Sequence, residues 1–265
     1  AKSKVRLPQN AYANGGNLQE APMQRAFFAL KDFASLIDSF KVKKTLCVAT
    51  SALRDAPNKS FFISKIRNEL GINIKIIDGT KEAYLGAMAC LNLLPKLTDA
   101  MTIDIGGGST EFAHIDNNAI SNQISLELGT VRLKELFFDK NDIDGAKDYI
   151  DTELSKLRIT SAKTLVGIGG TFRAISSAIM DKEAYPIQKL HGYEPDVHIF
   201  EKLLTKILNA KESELYHLGI KEERFDVIKP GALILLRVLK KLKTNKLLTS
   251  GVGIREGVFL SDLLR

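Results

Sequence analysis

Cysteine is scarce in this chain. Cys47 and Cys90 are the only two in 265 residues, both lie in apolar surroundings, and they share no paired spacing. That usage excludes a disulfide framework and a zinc site and points to a reducing, cytoplasmic setting. Long apolar runs are missing too. The longest candidate, 83–95, falls short of the roughly 18 residues that a membrane helix needs, so no membrane partner is expected. The opening "AKSKVRLPQN" is basic but has no apolar core of the signal-peptide kind. The four histidines, His114, His191, His198 and His217, are scattered without ligand spacing and read as structural or surface residues. Neither Ser51 nor Ser109 has a nearby histidine and carboxylate, which argues against a serine-hydrolase triad. There is no low-complexity tract and no lysine–arginine run interleaved with aromatics, so a nucleic-acid partner is unsupported. The balance of charge, +7 with a pI of about 9.2, favours anionic ligands.

What is present is an alternation of strands and helices. Met23, Ala26, Phe27, Leu30, Phe33, Ala34 and Ile37 recur at helical spacing and predict an amphipathic helix over about 20–40. "TLCVAT" (45–50) reads as a buried strand followed by the polar loop "SALRDAPN". Asn58 is placed to cap a helix that ends at Gly71. A strand over 72–77 closes at Asp78-Gly79, and an apolar helix follows from Thr80 to Leu94, stopped by Pro95. Strands are then predicted over 101–105 and 110–115. The turn Asn117-Asn118 leads into "AISNQISLEL", and further strands cover 164–168 and 245–250. This order predicts an α/β fold with a parallel or mixed sheet. The domain boundary is expected in the helix 80–94, giving domains 1–85 and 86–265.

Three strand ends carry glycine: "TIDIGGGST", "LVGIGGTFRAIS" and "LLTSGVGIREGV". Each glycine weakens a helix or strand by roughly 0.5–1 kcal/mol relative to alanine. Its use is close approach of backbone N–H groups to a ligand, often a phosphate. One such bend means little, and "IGGGST" alone also fits a hairpin turn into the strand after it. Three together point to a cleft at the carboxyl ends of strands, where open α/β sheets bind ligands. Gly169, Gly170 and Thr171 open a helix and offer an anion site there, although a simple left-handed bend fits the same residues. A Rossmann dinucleotide site is disfavoured, because "GIGGTF" lacks the third glycine and the acidic residue after a second strand is missing.

Six stretches make the chain recognisable: "VATSALRDAPN", "IIDGTKEAYLGA", "TIDIGGGSTEF", "LELGTVRLKELFF", "VGIGGTFRAIS" and "SGVGIREGVF". In this order it resembles the exopolyphosphatase/guanosine pentaphosphate phosphohydrolase (Ppx/GppA) family of the actin-like ATPase superfamily. The resemblance implies two ribonuclease-H-like domains around a central cleft, and release of orthophosphate from inorganic polyphosphate or from the 5′-triphosphate of pppGpp. It implies that Glu82 activates water. Asp104 and Glu111 would hold Mg²⁺, and Gly106, Gly107, Gly108, Ser109, Gly169, Gly170 and Thr171 would cradle phosphate. Arg54 is the side-chain phosphate clamp in this picture; by its residues alone it equally suits an ion pair with Asp55, as Glu82 suits an ordinary helix-start carboxylate and Glu111 an exposed strand residue. Arg255 and Glu256 look structural, tying the last helix to the bend before it. Family members open with a strand and an Asp-Leu-Gly-Ser-Asn-like loop. The expectation is that this first strand and phosphate loop are missing from the stretch in hand by omission, since every other motif is intact; the long carboxyl-terminal extension of larger members is also absent from it. A homodimer is compatible with the sequence. The alternatives are a kinase of the same superfamily and a non-catalytic polyphosphate- or nucleotide-binding homologue.

Overall fold

The computed structural model describes residues 3–180 and 187–263. The chain divides into two compact units, Ala1–Asp78 and Gly79–Arg265. In the first, helix α1 (Glu20–Ser39) precedes strand β1 (Cys47–Ala49), the short helix α2 (Ser51–Arg54), helix α3 (Lys59–Leu70) and strand β2 (Ile74–Ile76). The strands pair in parallel, Cys47 with Ile74 and Ala49 with Ile76. Two strands are marginal by themselves. Burial of Leu18, Ala26, Leu53, Phe62, Ile66 and Ile72 supplies the missing stability. Helix α3 stops where Gly71 turns left-handed, with φ of 65°. At its start the sequence reading needs correction, because the Asn58 side chain makes no cap bond. Its Oδ1 accepts from the Leu18 N–H and its Nδ2 donates to the Leu18 carbonyl, both at 2.9 Å. Pairing with both polar groups of one distant residue uses the donor and the acceptor end of the carboxamide at once, which a cap bond does not.

The second unit is built on a sheet with strand order β5-β4-β3-β6-β7. Helix α4 (Gly79–Leu93) leads into β3 (Ala100–Ile105), β4 (Thr110–Asp116) and β5 (Ala119–Leu126), an antiparallel meander. Asn117 and Asn118, with φ of 48° and 61°, make the tight turn between β4 and β5. Helices α5 (Thr130–Leu136) and α6 (Ile143–Ser155) cross over to β6 (Thr164–Ile168). Then come α7 (Gly169–Ile179), α8 (Ile187–Leu190), α9 (Val197–Asn209), α10 (Phe225–Leu242), β7 (Lys246–Thr249) and α11 (Ile254–Leu263). Strands β6 and β7 run parallel to β3, so the carboxyl ends of all three share one edge.

Alternation along β3 decides which helices cover which face. Met101 and Ile103 join Phe112, Leu165, Phe172, Phe200 and Ile234 in the larger core. Ala100 faces the other way, with Ala113, Val166, Ile168 and Leu248, and there it meets Ala83, Ala87 and Cys90 of α4. Small residues on both sides bring the helix close to the sheet. By the same period of two, Thr102 and Asp104 lie on the α4 face with Ala100, so the apolar face ends in a carboxylate at the strand's carboxyl end. None of the helices is long and apolar enough to cross a membrane, among the described residues.

Candidate active site

Strand register lines up the chemistry. Asp104 on β3 is paired with Glu111 on β4, and Glu111 with Ser125 on β5. Residues opposite one another across strands share a face, so the three form a row on the side that α4 covers. The first turn of α4 carries Glu82, whose charge acts on Glu111. Glu111 is buried, and burial, with the neighbouring Glu82 and Asp104 charges, pushes its carboxyl up to about 8. Two hydroxyls work against that shift: Ser109 Oγ and Ser125 Oγ both donate to Glu111 Oε1, at 2.5 and 2.7 Å. Asp104 is pushed up to about 6 by burial, moderated by the Arg173 guanidinium.

The glycine loop after β3 is held from one side only. The Thr130 N–H donates to the Gly106 carbonyl at 3.0 Å, and those of Val131 and Arg132 to the Gly107 carbonyl at 2.9 and 3.0 Å. Arg132 Nε donates to the Gly108 carbonyl at 2.9 Å. The first turn of α5 thereby finds acceptors for N–H groups that a helix start otherwise leaves unsatisfied. No peptide bond among the described residues is cis. In a planar trans peptide the N–H points opposite to the carbonyl before it. The N–H groups of Gly107, Gly108 and Ser109 therefore face away from α5 and form a donor cradle. Gly129 permits this seat, since a Cβ there would stand 2.2 Å from the Gly107 oxygen. The sequence reading is corrected at two positions. The Gly106 N–H is closed within the loop, on the Ser109 carbonyl at 2.9 Å. The Ser109 hydroxyl has one proton, and it goes to Glu111, so Ser109 offers an anion its backbone N–H.

A second cradle follows β6. Gly169 has φ of 79°, and a Cβ there would lie 2.3 Å from Asp104 Oδ1, so only glycine fits between β6 and the carboxylate. The amino-terminal N–H groups of α7, around Gly170 and Thr171, open beside Asp104. Arg173 ties the strand ends together: its Nε donates to the Gly169 carbonyl at 2.7 Å and its Nη1 to the Gly251 carbonyl at 3.3 Å, after β7. Arg224 also reaches this point, with Nη2 lying 2.3 Å from where a Cβ on Gly170 would be. Sequence reasoning singled out none of Arg173, Arg224, Arg132 and Ser125. Arg173 was within reach, one turn into the helix that "GGT" opens. Arg224 and Ser125 have no local signal, because register and tertiary approach bring them in.

Arg54 belongs to the first unit, where its Nε pairs with Asp55 Oδ1 and its Nη1 donates to the Ile77 carbonyl, each at 3.3 Å. Glu256 Oε2 accepts from the Gly253 N–H at 2.8 Å, tying the start of α11 to the bend before it. His191 is structural as well. Its Nε2 lies 2.7 Å from the Leu93 carbonyl and its Nδ1 accepts from the Gly251 N–H. Among the described residues no three His, Cys, Asp or Glu side chains converge on a point that would hold a metal by protein ligands alone. A buried carboxylate, Glu111, paired across the strands with a half-buried one, Asp104, suits a different case: a hard cation that takes one or two carboxylates and completes its shell from water and phosphate.

Comparison with known proteins gives consistent matches. The sequence model of the Ppx/GppA phosphatase family matches residues 1–265. A bifunctional 3-dehydroquinate synthase/phosphatase of Fusobacterium nucleatum subsp. nucleatum is 32% identical over 237 residues, covering 84% of this chain and 35% of that protein. A guanosine-5′-triphosphate,3′-diphosphate pyrophosphatase of Photobacterium profundum is 28% identical over 270 residues, 97% of this chain and 52% of that one. The chain thus spans between a third and about half of the length of these relatives. Among solved structures, an exopolyphosphatase from Cytophaga hutchinsonii superposes with a TM-score of 0.89 at 28% identity, covering 99% of this chain and 88% of that one. The Aquifex aeolicus member of the Ppx/GppA family gives 0.81 at 28% identity, with 98% and 87% covered.

Proposed function

Since the chain belongs to the Ppx/GppA phosphatase family, we propose that it is a phosphoanhydride hydrolase, releasing orthophosphate from the end of inorganic polyphosphate, from the 5′-triphosphate of pppGpp, or from both. One observation carries this reading: Asp104 and Glu111 are paired side by side at the glycine-bearing strand ends, and the charge of Glu82 on α4 acts on Glu111. Phosphoryl transfer asks a protein for positioning and charge neutralisation more than covalent chemistry. The N–H groups of Gly107, Gly108 and Ser109 and the start of α7 bind the oxygens of the terminal phosphate.

Glu82 takes the proton of the attacking water while the water oxygen bonds to phosphorus. The bond to the bridging oxygen breaks, and the shortened chain leaves with that oxygen. Asp104 and Glu111 are the residues that would hold Mg²⁺, which, when bound, neutralises charge on the phosphate oxygens. Glu111 sits in a place that favours a proton, and a bound cation would neutralise it in the proton's stead. Bulk water is the only acceptor this scheme needs. The test is phosphate release by the full-length protein from polyphosphate and from pppGpp, with no phosphoryl acceptor present. Release without an acceptor supports hydrolysis; transfer only when an acceptor is added would make the protein a kinase, and binding without turnover a sensor.

A further inference from the structure

Ser125 has no part in the chemistry above, yet it touches both sides of it. Its hydroxyl donates to Glu111 Oε1 at 2.7 Å, and Ser109 donates to the same oxygen at 2.5 Å. A carboxylate oxygen has two lone-pair directions, and on Oε1 both are occupied. Both serine hydroxyls go to Oε1 and neither to Oε2. The two serines therefore decide which oxygen of Glu111 stays open. Ser125 also seats the helix that carries Glu82. A Cβ on Gly79, the first residue of α4, would lie 2.2 Å from Ser125 Cβ and 2.8 Å from its Oγ. Helix start and β5 are thus in direct contact, three residues ahead of Glu82.

We propose that Ser125 is a positioning residue for the cation site: with Ser109 it holds Glu111 so that Oε2 alone is presented to the metal, and it sets the distance from Glu111 to the start of α4. This rests on the hydrolase reading, in which Asp104 and Glu111 hold the cation. Partners of ligating side chains commonly govern metal affinity by 10–100-fold. Loss of the Ser125 hydroxyl releases the carboxylate to rotate and frees Oε1 to compete with Oε2.

The experiment uses Mn²⁺ alone as the probe, followed by electron paramagnetic resonance on the full-length protein without phosphate or substrate. Ser125→Ala should weaken Mn²⁺ binding about tenfold or more, and Ser109→Ala, which leaves the α4 contact intact, should act in the same direction. Ser125→Cys keeps a weak donor in a similar volume and should recover part of the loss; it also stands in if the alanine variant does not fold. In turnover, Ser125→Ala should raise the Mg²⁺ concentration needed for half-activation much more than it lowers kcat at saturating Mg²⁺. A purely structural role would show as a lower melting temperature with the Mn²⁺ affinity unmoved. Glu111→Gln is the reference. If it abolishes Mn²⁺ binding while Ser125→Ala stays within twofold of the parent, the positioning role is refuted and the metal site stands. If Glu111→Gln itself binds Mn²⁺ normally, the cation site falls, and the role of Ser125 with it.

Discussion

Substituting Glu111 by glutamine should stabilise the metal-free protein, and only at neutral to alkaline pH. In the fold the carboxyl is pushed from 4.5 up to about 8, by burial first and then by the Glu82 charge. A group whose pKa is raised by folding holds its proton more tightly in the folded chain. Its contribution is at its most favourable below about pH 4.5 and is lost as pH climbs to about 8. At about 1.36 kcal/mol per pH unit that range corresponds to nearly 5 kcal/mol. Side-chain relaxation and water entry lower the figure, and about 2 kcal/mol is a reasonable expectation. Glutamine is neutral throughout and still accepts from Ser109 and Ser125. With chelator present, Glu111→Gln should therefore melt at the same temperature as the parent near pH 4.5. At pH 8.5 it should melt roughly 4–8 °C higher, for a unit of this size. Scanning calorimetry across that range is the assay. Parallel curves for the two proteins, with no widening gap as pH rises, would show that Glu111 is not held in a proton-favouring site.

Three further outcomes follow from the same geometry. Arg132→Ala removes a charge-assisted hydrogen bond worth about 1.5–3 kcal/mol and frees the Gly108 carbonyl; KM should rise by the order of tenfold with a smaller change in kcat, and an unchanged KM would mean that the cradle does not need α5. Gly169→Ala places a Cβ against Asp104 at a left-handed position, so a loss of at least about 1–2 kcal/mol is expected in denaturant titration, together with loss of turnover. With a net charge of +7, affinity should fall with ionic strength, and more steeply for long polyphosphate than for pppGpp; equal slopes in titrations of the two ligands would argue against a groove that follows the chain.

Much of the fold was legible because its signals are local. The strands 101–105 and 164–168, the Asn117-Asn118 turn and the glycine-bearing strand ends depend on short-range pattern, and each stands in the structure within a residue or so of its expected place. The errors arise where a side chain had two uses. Asn58 could cap a helix or pair with a distant backbone, and the distant partner Leu18 is not a neighbour in sequence. The Ser109 hydroxyl could meet a phosphate or a carboxylate, and Glu111, two residues on, takes it. Strand register explains the rest. Asp104 and Glu111 were picked out by their motif, but Ser125 joins them only because β5 pairs with β4 at that register. Arg224 arrives from a segment whose sequence carries no phosphate signature.

The claim at the centre of this account is that Glu82 activates the water. Glu82→Gln in the full-length protein, assayed for phosphate release at saturating Mg²⁺ on both polyphosphate and pppGpp, tests it most directly. Removal of a general base typically costs on the order of 10²–10⁴-fold in rate, so kcat should drop by that much with KM and the melting temperature nearly unchanged. Turnover near that of the parent on both substrates would contradict the account, leave Glu82 as a helix-start carboxylate, and direct the search for the base to Glu111.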